Sequence, residues 1–349
     1  MNWSPTNQFE YTPEERALIE VGGAYFPLDV DNTIRSSFVV CGMQTNYGHV
    51  QHLHPAGESV HLYAGAAYAD GLEAARRAFF ERGVPAPEAV EIGAARAAEV
   101  YGDFAPPEGH AKSREAVAEA IRYAFTQWPL GADTYRPLKM EWRFRVPIPG
   151  LTHPDTQGPI YYVGRPDTYG TIGEAFAVHD DKTATSLGAS WMRQWELDSQ
   201  FTGYWWAAQQ TGALPVGGSN PVLIRGVAFL KAKFDEVEVP EGTPGATPVV
   251  LKTKTKFVTR EYNRNDSFGH AQALVYRPQW MIERWLRQLK RDVGRMIHAY
   301  LNDEWDYALH KGACAAYGGC PYTLLCGSEH PEQWKGNYVV RKWDPLAVV

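Results

Sequence analysis

Apolar positions along the chain change period once. Up to about residue 135 the pattern is helical: Tyr68, Leu72, Ala75 and Phe79 recur every three or four residues in AGAAYADGLEAARRAFFER (64–82). Val117, Ile121 and Phe125 do the same in SREAVAEAIRYAFTQ (113–127). Thr12, Pro13, Glu14 and Glu15 supply an N-cap, a first-turn proline and acids at the positive helix end. Gly83 and Pro106-Pro107 mark loops.

Near residue 138 the period becomes two. KMEWRFRVPI (139–148), PIYYVGRPD (159–167) and GEAFAVHDD (173–181) predict three consecutive strands, and a helix is predicted over about 191–210. NPVLIRGVAFLKAKFDEVEV (220–239) and TPVVLKTKTKFVTREY (247–262) predict two long strands, and a last helix is expected from about Pro278 to His310. The fold class is therefore α/β. A helical region spans 1–135, a strand-rich core 136–265, and a C-terminal helix and tail 266–349. No linker separates them, so one compact unit is expected.

Composition narrows the function classes. With 349 residues, 44% of them hydrophobic, and 12 Trp, 19 Tyr and 14 Phe, the chain is too apolar to stay disordered. Its longest apolar runs end within about five residues, short of the ~18 needed to span a bilayer. The N-terminus has no basic stretch leading into an apolar one, so a cytoplasmic protein is expected. Thiols stay reduced there, and four cysteines read as a metal or cluster site before disulfides. A net charge of −6 excludes a globally basic nucleic-acid coat but not a local basic groove.

The candidate chemistry begins at Asp167, which ends a predicted strand. Thirteen residues later the next strand presents Asp180 and then Lys182, on one face because strand side chains alternate. Two carboxylates suit Mg²⁺ or Mn²⁺, and an adjacent amine suits orienting or deprotonating water in phosphodiester hydrolysis. A solvated turn with a surface salt bridge would produce the same spacing. Eighteen residues past Lys182, SQFTGYWWAAQQ (199–210) places Gln200 and Tyr204 four apart, on one helical face.

This ordered series resembles the RecB branch of the PD-(D/E)XK nuclease superfamily. The resemblance implies a restriction-endonuclease-like mixed sheet flanked by helices. It makes Asp167 and Asp180 the metal-binding acids, Lys182 the third member of the (D/E)-x-K pair, and Gln200 and Tyr204 the Q-x-x-x-Y motif near the DNA strand. Asp181 takes the variable middle position. Glu141 reads either as a further carboxylate or as the partner of Arg143 or Arg145. Where the family often carries a metal-binding His, the comparable helix has Tyr68, and His61 lies seven residues earlier. His49, His52 and His54 form an H-x-x-H-x-H run without a completing Cys or acid, and read as surface or loop histidines.

Cys314, Cys320 and Cys326 are spaced C-x5-C-x5-C, with Cys41 far upstream. Four thiolates match zinc or an iron–sulfur cluster, but the close cysteine pairs usual for zinc are missing. One early and three late cysteines are similar to the iron–sulfur subset of RecB-type exonucleases, which includes CRISPR-associated adaptation nucleases, AddB-type nuclease domains and related phage exonucleases. That resemblance implies a [4Fe–4S] cluster tying the N-terminal region to the C-terminus. It also implies an exonuclease acting on DNA ends in recombination, repair or phage DNA processing, in the host cytoplasm if phage-encoded. A catalytically silent DNA-binding scaffold, suggested by Tyr68, and a zinc-stapled structural protein are the alternatives.

Lys252, Lys254 and Lys256 alternate along one predicted strand, and Arg284, Arg287, Lys290, Arg291 and Arg295 line the last helix around Trp285. Such a pattern suits a phosphate-tracking groove, and equally a solvated strand face and an amphipathic helix. Trp205 and Trp206 are candidates for base stacking or for the core.

Overall fold

The computed structural model describes residues 9, 11–20, 23–57, 59–107, 110–214, 216–230, 234–262, 267–308, 311–315 and 319–346. Thr12 starts the first helix, α1 (Pro13–Glu20), as its composition predicts. The Glu15 N–H donates to the Thr12 hydroxyl at 3.2 Å and the Thr12 N–H donates to the Glu15 carboxylate at 2.8 Å, a reciprocal cap. The chain continues through β1 (Asp29–Val30), α2 (Asn32–Val40), the single turn α3 (Gly42–Thr45), a π-turn over Asn46–Val50 and β2 (Leu53–Pro55).

Three helices then form a layer: α4 (Val60–Arg76), α5 (Ala86–Tyr101) and α6 (Arg114–Gln127). The expected stripes of α4 and α6 are buried together, with Tyr68, Leu72, Val117 and Ile121 all within 2% of full burial. Helix α5 has no bold stripe because its buried face is Ala89, Gly93, Ala94 and Ala97. Those small residues let it lie close to α4, where a Cβ on Gly93 would meet Gly71 O.

The strand region follows as β3 (Tyr135–Met140), β4 (Phe144–Thr152), β5 (Pro159–Gly164), β6 (Thr168–Ile172) and β7 (Ala175–Ala184). The single strand expected over 139–148 is two. The backbone turns at Glu141, which has φ +48°, so β3 joins β6 while β4 joins β5. Strand β6 lies where a loop was expected and pairs with β7 through a turn at Gly173, φ +60°. The helix expected over 191–210 is also divided, into α7 (Ala189–Gln194) and α8 (Ser199–Gln210). Asp198 Oδ1 accepts the Gln200 N–H at 2.8 Å and restarts it.

Strand β8 (Pro221–Phe229) is buried at every position, the mark of a central strand. It runs parallel to β7 and antiparallel to β12 (Phe268–Tyr276), which the sequence reading missed. The order of the main mixed sheet is β12-β8-β7-β6-β3, and β1-β5-β4 form a second sheet. Because β7 and β8 are parallel, the chain must cross over between them, and α7 and α8 are that crossover. Helix α8 is thus laid against β7.

The remaining segments correct the nucleic-acid reading. Strands β9 (Phe234–Val239), β10 (Thr247–Leu251) and β11 (Lys254–Tyr262) make a separate antiparallel sheet. Lys252 sits at the β10–β11 corner with φ +56°, so it does not share a strand face with Lys254 and Lys256, and Lys256 pairs with Glu238 at 2.7 Å. The last long helix, α9 (Gln279–Asn302), stops at Asp303, whose left-handed backbone (φ +53°) caps it. His310 lies outside the described residues. Ile282, Trp285, Leu289, Val293 and Met296 are the buried stripe of α9, and Arg284, Arg287, Arg291 and Arg295 are exposed.

Trp205, Trp206 and Trp285 are core residues and do not offer their faces to bases. All three are at most 5% exposed, Trp205 Nε1 donates to Pro221 O at 3.2 Å, and Trp285 Nε1 donates to Ser199 Oγ at 3.1 Å. After α10 (Lys311–Cys314) and α11 (Thr323–Cys326), β13 (Tyr338–Val340) returns to pair with β2. Among the described residues no helix is long and apolar enough to cross a membrane.

Candidate active site

The β6–β7 register pairs Thr168 with His179. Extended by one residue, it sets Asp167 opposite Asp180. The Asp181 N–H closes this corner by donating to Asp167 Oδ2 at 2.7 Å. Lys182 Nζ reaches back along the same face of β7 to ion-pair with Asp180 Oδ2. That oxygen is buried and, despite this close contact, has no aligned hydrogen bond. The three residues singled out by spacing are therefore brought together.

Glu141 joins them. Its N–H donates to Asp167 O at 2.8 Å, and its carboxylate pairs with Arg165 at 2.8 Å, not with Arg143 or Arg145. Arg145 is instead engaged by Glu15 and Asp29. Burial pushes the Glu141 carboxyl up to about 7; Arg165 opposes this, while Glu73, Asp180 and Asp70 add to it. Asp167 is held well above the usual carboxylate range by burial and by the charges of Asp180, Glu141 and Asp181. Burial also raises Asp180, against the pull of Lys182. Burial disfavours the Lys182 charge, but Asp180 and Asp167 outweigh it and raise the amine. A cluster of carboxylates that repel one another and hold their protons is what a bound cation would relieve.

Alternation along β7 sends Asp181 to the opposite face. There Arg76 of α4 donates to Asp181 Oδ2 at 2.6 Å, and His179 Nε2 lies 3.5 Å from Oδ1. His179 Nδ1 contacts Thr168 Oγ1 at 3.0 Å, which contacts the Tyr135 hydroxyl at 2.7 Å. Burial would raise Asp181, but Arg76 and His179 outweigh it and lower its pKa. The middle residue of the D-x-K stretch is thus a fixed anion. Tyr68 lies within electrostatic reach of Asp181, Arg76 and Asp167, and burial raises its hydroxyl well above its ordinary value.

On the active face, Gln200 Nε2 donates to the Tyr204 hydroxyl at 2.6 Å, which donates to Arg165 O at 3.3 Å. Helix α8 rests directly on β5 because residue 203 is glycine; a Cβ there would collide with the Tyr162 hydroxyl. The His61 ring packs on His110. Sequence reasoning missed Arg76 and Arg165. The signal for Arg76 was present, since it falls four residues after Leu72 in the apolar stripe.

The expected surface histidines are not on the surface: His49 and His52 are 8% and 4% exposed. The four cysteines are free and converge on one end of the molecule. Cys41, Cys320 and Cys326 pack on the main core, and the Cys320 N–H donates to Cys314 O at 2.8 Å. Burial, Cys320, Cys41 and Cys314 together push the Cys326 thiol up to about 11, so the other three lie within electrostatic reach of Cys326. Among the described residues, no three His, Cys, Asp or Glu side chains stand close enough to share a single ion. In the acid cluster this follows from the contacts above, which turn Asp180 onto Lys182 and Asp167 onto the Asp181 N–H.

A mixed sheet thus presents paired acids and a lysine from adjacent strands, with a crossover helix beside them. The chain belongs to the PD-(D/E)XK nuclease superfamily, whose family model matches residues 41–327. It is accordingly a metal-dependent nuclease, a hydrolase of phosphodiester bonds in DNA; members of the superfamily typically use Mg²⁺ or Mn²⁺. No curated protein matches the chain.

Proposed function

We propose that the chain is a Mg²⁺- or Mn²⁺-dependent exodeoxyribonuclease of the RecB type, acting in DNA recombination, repair or phage DNA processing. The observation that carries this is the meeting of Asp167, Asp180 and Lys182 at one sheet corner, beneath Gln200 and Tyr204. Asp167 and Asp180 offer carboxylate oxygens of the kind a hard cation takes, with water and substrate oxygens to complete its shell. When bound, such an ion polarises the scissile phosphate and lowers the pKa of an attacking water.

The side chains of the chain supply the rest. Lys182, held charged by Asp180 and Asp167, orients the water and stabilises charge developing on phosphorus. Gln200, which directs its amide to Tyr204, contacts the strand being cut. The exposed arginines of α9 follow the strand backbone, and exposed Trp280, with the Arg284 guanidinium 4.9 Å from its ring, replaces Trp285 as the stacking face.

Cys41, Cys314, Cys320 and Cys326 are proposed to hold a [4Fe–4S] cluster. One early and three late cysteines without the close pairs usual for zinc suit an iron–sulfur cluster better than a zinc site. Its role is a structural tie between the N-terminal region (1–135) and the C-terminal region (266–349), closing around the nuclease core (136–265). Anaerobically purified protein is then brown and contains about four irons per chain; colourless protein with one zinc refutes this part.

The nuclease reading is tested with end-labelled linear DNA and Mn²⁺. Asp180→Ala and Lys182→Ala should each lower degradation by roughly a thousandfold or more while the fold persists. Degradation of linear but not covalently closed circular DNA supports an exonuclease. Intact ends with retained DNA binding support the silent scaffold instead.

A further inference from the structure

Under the C-terminal strand lies a cavity of about 220 Å³ that none of the active-site acids lines. Its walls include Tyr25, Asp29, His49, His52 and Lys342. The π-turn over Asn46–Val50 delivers His49, and a left-handed backbone at His52 (φ +57°) turns the second ring into the same space. A non-glycine residue held in that conformation is strained and persists only where its surroundings impose it.

Both rings are more than nine-tenths buried, and His49 Nδ1 and both ring nitrogens of His52 lack hydrogen-bond partners. Buried polar groups are rarely left so. Burial holds both rings neutral, each pushed down to about 4; His54 and His52 add to this at His49, and Lys342 and His54 at His52. His52, with both ring nitrogens unpartnered, has an N–H available to donate in either tautomer, and His49 has one when Nδ1 carries the proton.

The Lys342 ammonium points to an anionic ligand. Two carboxylates share the wall: Asp29 is ion-paired with Arg145 at 2.7 Å and accepts from the Tyr11 hydroxyl at 3.0 Å, and Asp344 keeps its charge while accepting the Leu346 N–H at 2.9 Å. The Lys342 ammonium donates to Ile19 O and stands 5.2 Å over the Tyr25 ring, which leaves it two further N–H groups. Among the described residues no carboxylate neutralises it. A cation would meet this ammonium, and no three side chains are placed to share one.

We propose that this cavity binds the phosphate group of an inorganic or nucleotide phosphate, held by Lys342 and the ring N–H groups of His49 and His52. The ammonium supplies the opposite charge and the imidazoles satisfy their own orphaned nitrogens. The group has three sources: free phosphate, a nucleoside 5′-monophosphate, or a phosphate of the DNA strand.

The test uses the full chain in EDTA, without metal or cleavage, so its outcome is independent of the nuclease reading. Inorganic phosphate, deoxyadenosine 5′-monophosphate and a short 5′-phosphorylated oligonucleotide are titrated by calorimetry and by imidazole NMR. At least one should bind one to one and shift the His49 and His52 ring signals, and competition between the three identifies the source. Lys342→Gln, and His52→Asn, whose side chain tolerates the left-handed backbone, should each weaken binding about tenfold or more. Asp180→Asn should leave it unchanged. Millimolar ligand with no shift at His49 or His52 overturns the proposal, a result available even if the variants misfold. So does equal affinity in both pocket variants, or loss of binding in Asp180→Asn.

Discussion

The Asp181 N–H donates to Asp167 Oδ2 at 2.7 Å, so the backbone of one strand holds the carboxylate that closes the neighbouring loop. The bond fixes Asp167 among Asp180, Glu141 and Asp181, where burial and three like charges push its pKa up. The cluster is assembled against its own repulsion, and the cost is borne by the metal-free protein.

Neutralising Asp167 should therefore stabilise the protein while it destroys activity. Asp167→Asn keeps an oxygen for the Asp181 N–H and removes one charge. In EDTA its melting temperature should exceed that of the natural protein by about 2 °C or more, and Mn²⁺ should stabilise only the natural protein. An unchanged or lowered melting temperature in EDTA would show that the acids do not strain the fold.

Glu141 should act through metal affinity. Glu141→Gln retains a partner for Arg165 but supplies no charge, so the Mg²⁺ concentration needed for half-maximal cleavage should rise about 10–100-fold. Near-normal turnover should return at saturating metal. A metal titration of cleavage rate reads this directly, and an unshifted curve removes Glu141 from the site.

The Arg76–Asp181 pair should matter to folding more than to chemistry. Both side chains are under 10% exposed, so Arg76→Met leaves an uncompensated buried carboxylate and should cost about 3–5 kcal/mol in urea denaturation. Arg76→Met combined with Asp181→Asn should recover much of that loss and retain cleavage. If the double variant is as unstable as the sum of the single ones, the pair is not coupled.

The buried histidines should lower stability in acid, while the raised acids Glu141, Asp167 and Asp180 bind protons more readily in the folded state and act the other way. His49 and His52 bind protons near pH 6.5 when unfolded but near pH 4 when folded. At these two rings the unfolded chain thus takes up more protons between those values, and their contribution to stability declines as pH drops from about 6.5 to about 4. Buried His179, depressed well below its ordinary pKa by burial, adds in the same direction. In phosphate-free buffer the melting temperature of the natural protein should fall relative to that of His49→Gln as pH drops through that range. A difference that does not change with pH would mean the His49 ring is not buried neutral.

Much of the site was legible because its order along the chain is local. The D-x-K pair on β7 and the Gln and Tyr on α8 need only strand alternation and helical spacing to be placed. The break at Glu141 was not legible: a left-handed backbone at a glutamate has no sequence signature, and the run 139–148 alternates straight through it. Strand β6 was missed because TYGTI is short and glycine-containing, and it gains its burial from β3 and β7 and from Trp142 and α8, which its own pattern does not announce. The histidines were misplaced because a π-turn and a strained residue, neither periodic, carry them inward. Asp292 in the apolar stripe of α9 was a readable anomaly, and it pairs with buried Arg35 at 2.9 Å.

The pairing of β13 with β2 sets an order of assembly during synthesis. Leu53–Pro55 leaves the ribosome about 280 residues before Tyr338–Val340, its only strand neighbour among the described residues. At roughly 5–20 residues per second, that segment, the adjoining histidines and Cys41 wait some tens of seconds for their partners. The helical layer and main sheet can close in that interval, while the segment from Cys41 to Pro55 remains open to solvent and to chaperones. Completion of the fold is therefore signalled by the last strand, and a chain interrupted before residue 338 keeps its nuclease acids but leaves this end of the molecule exposed.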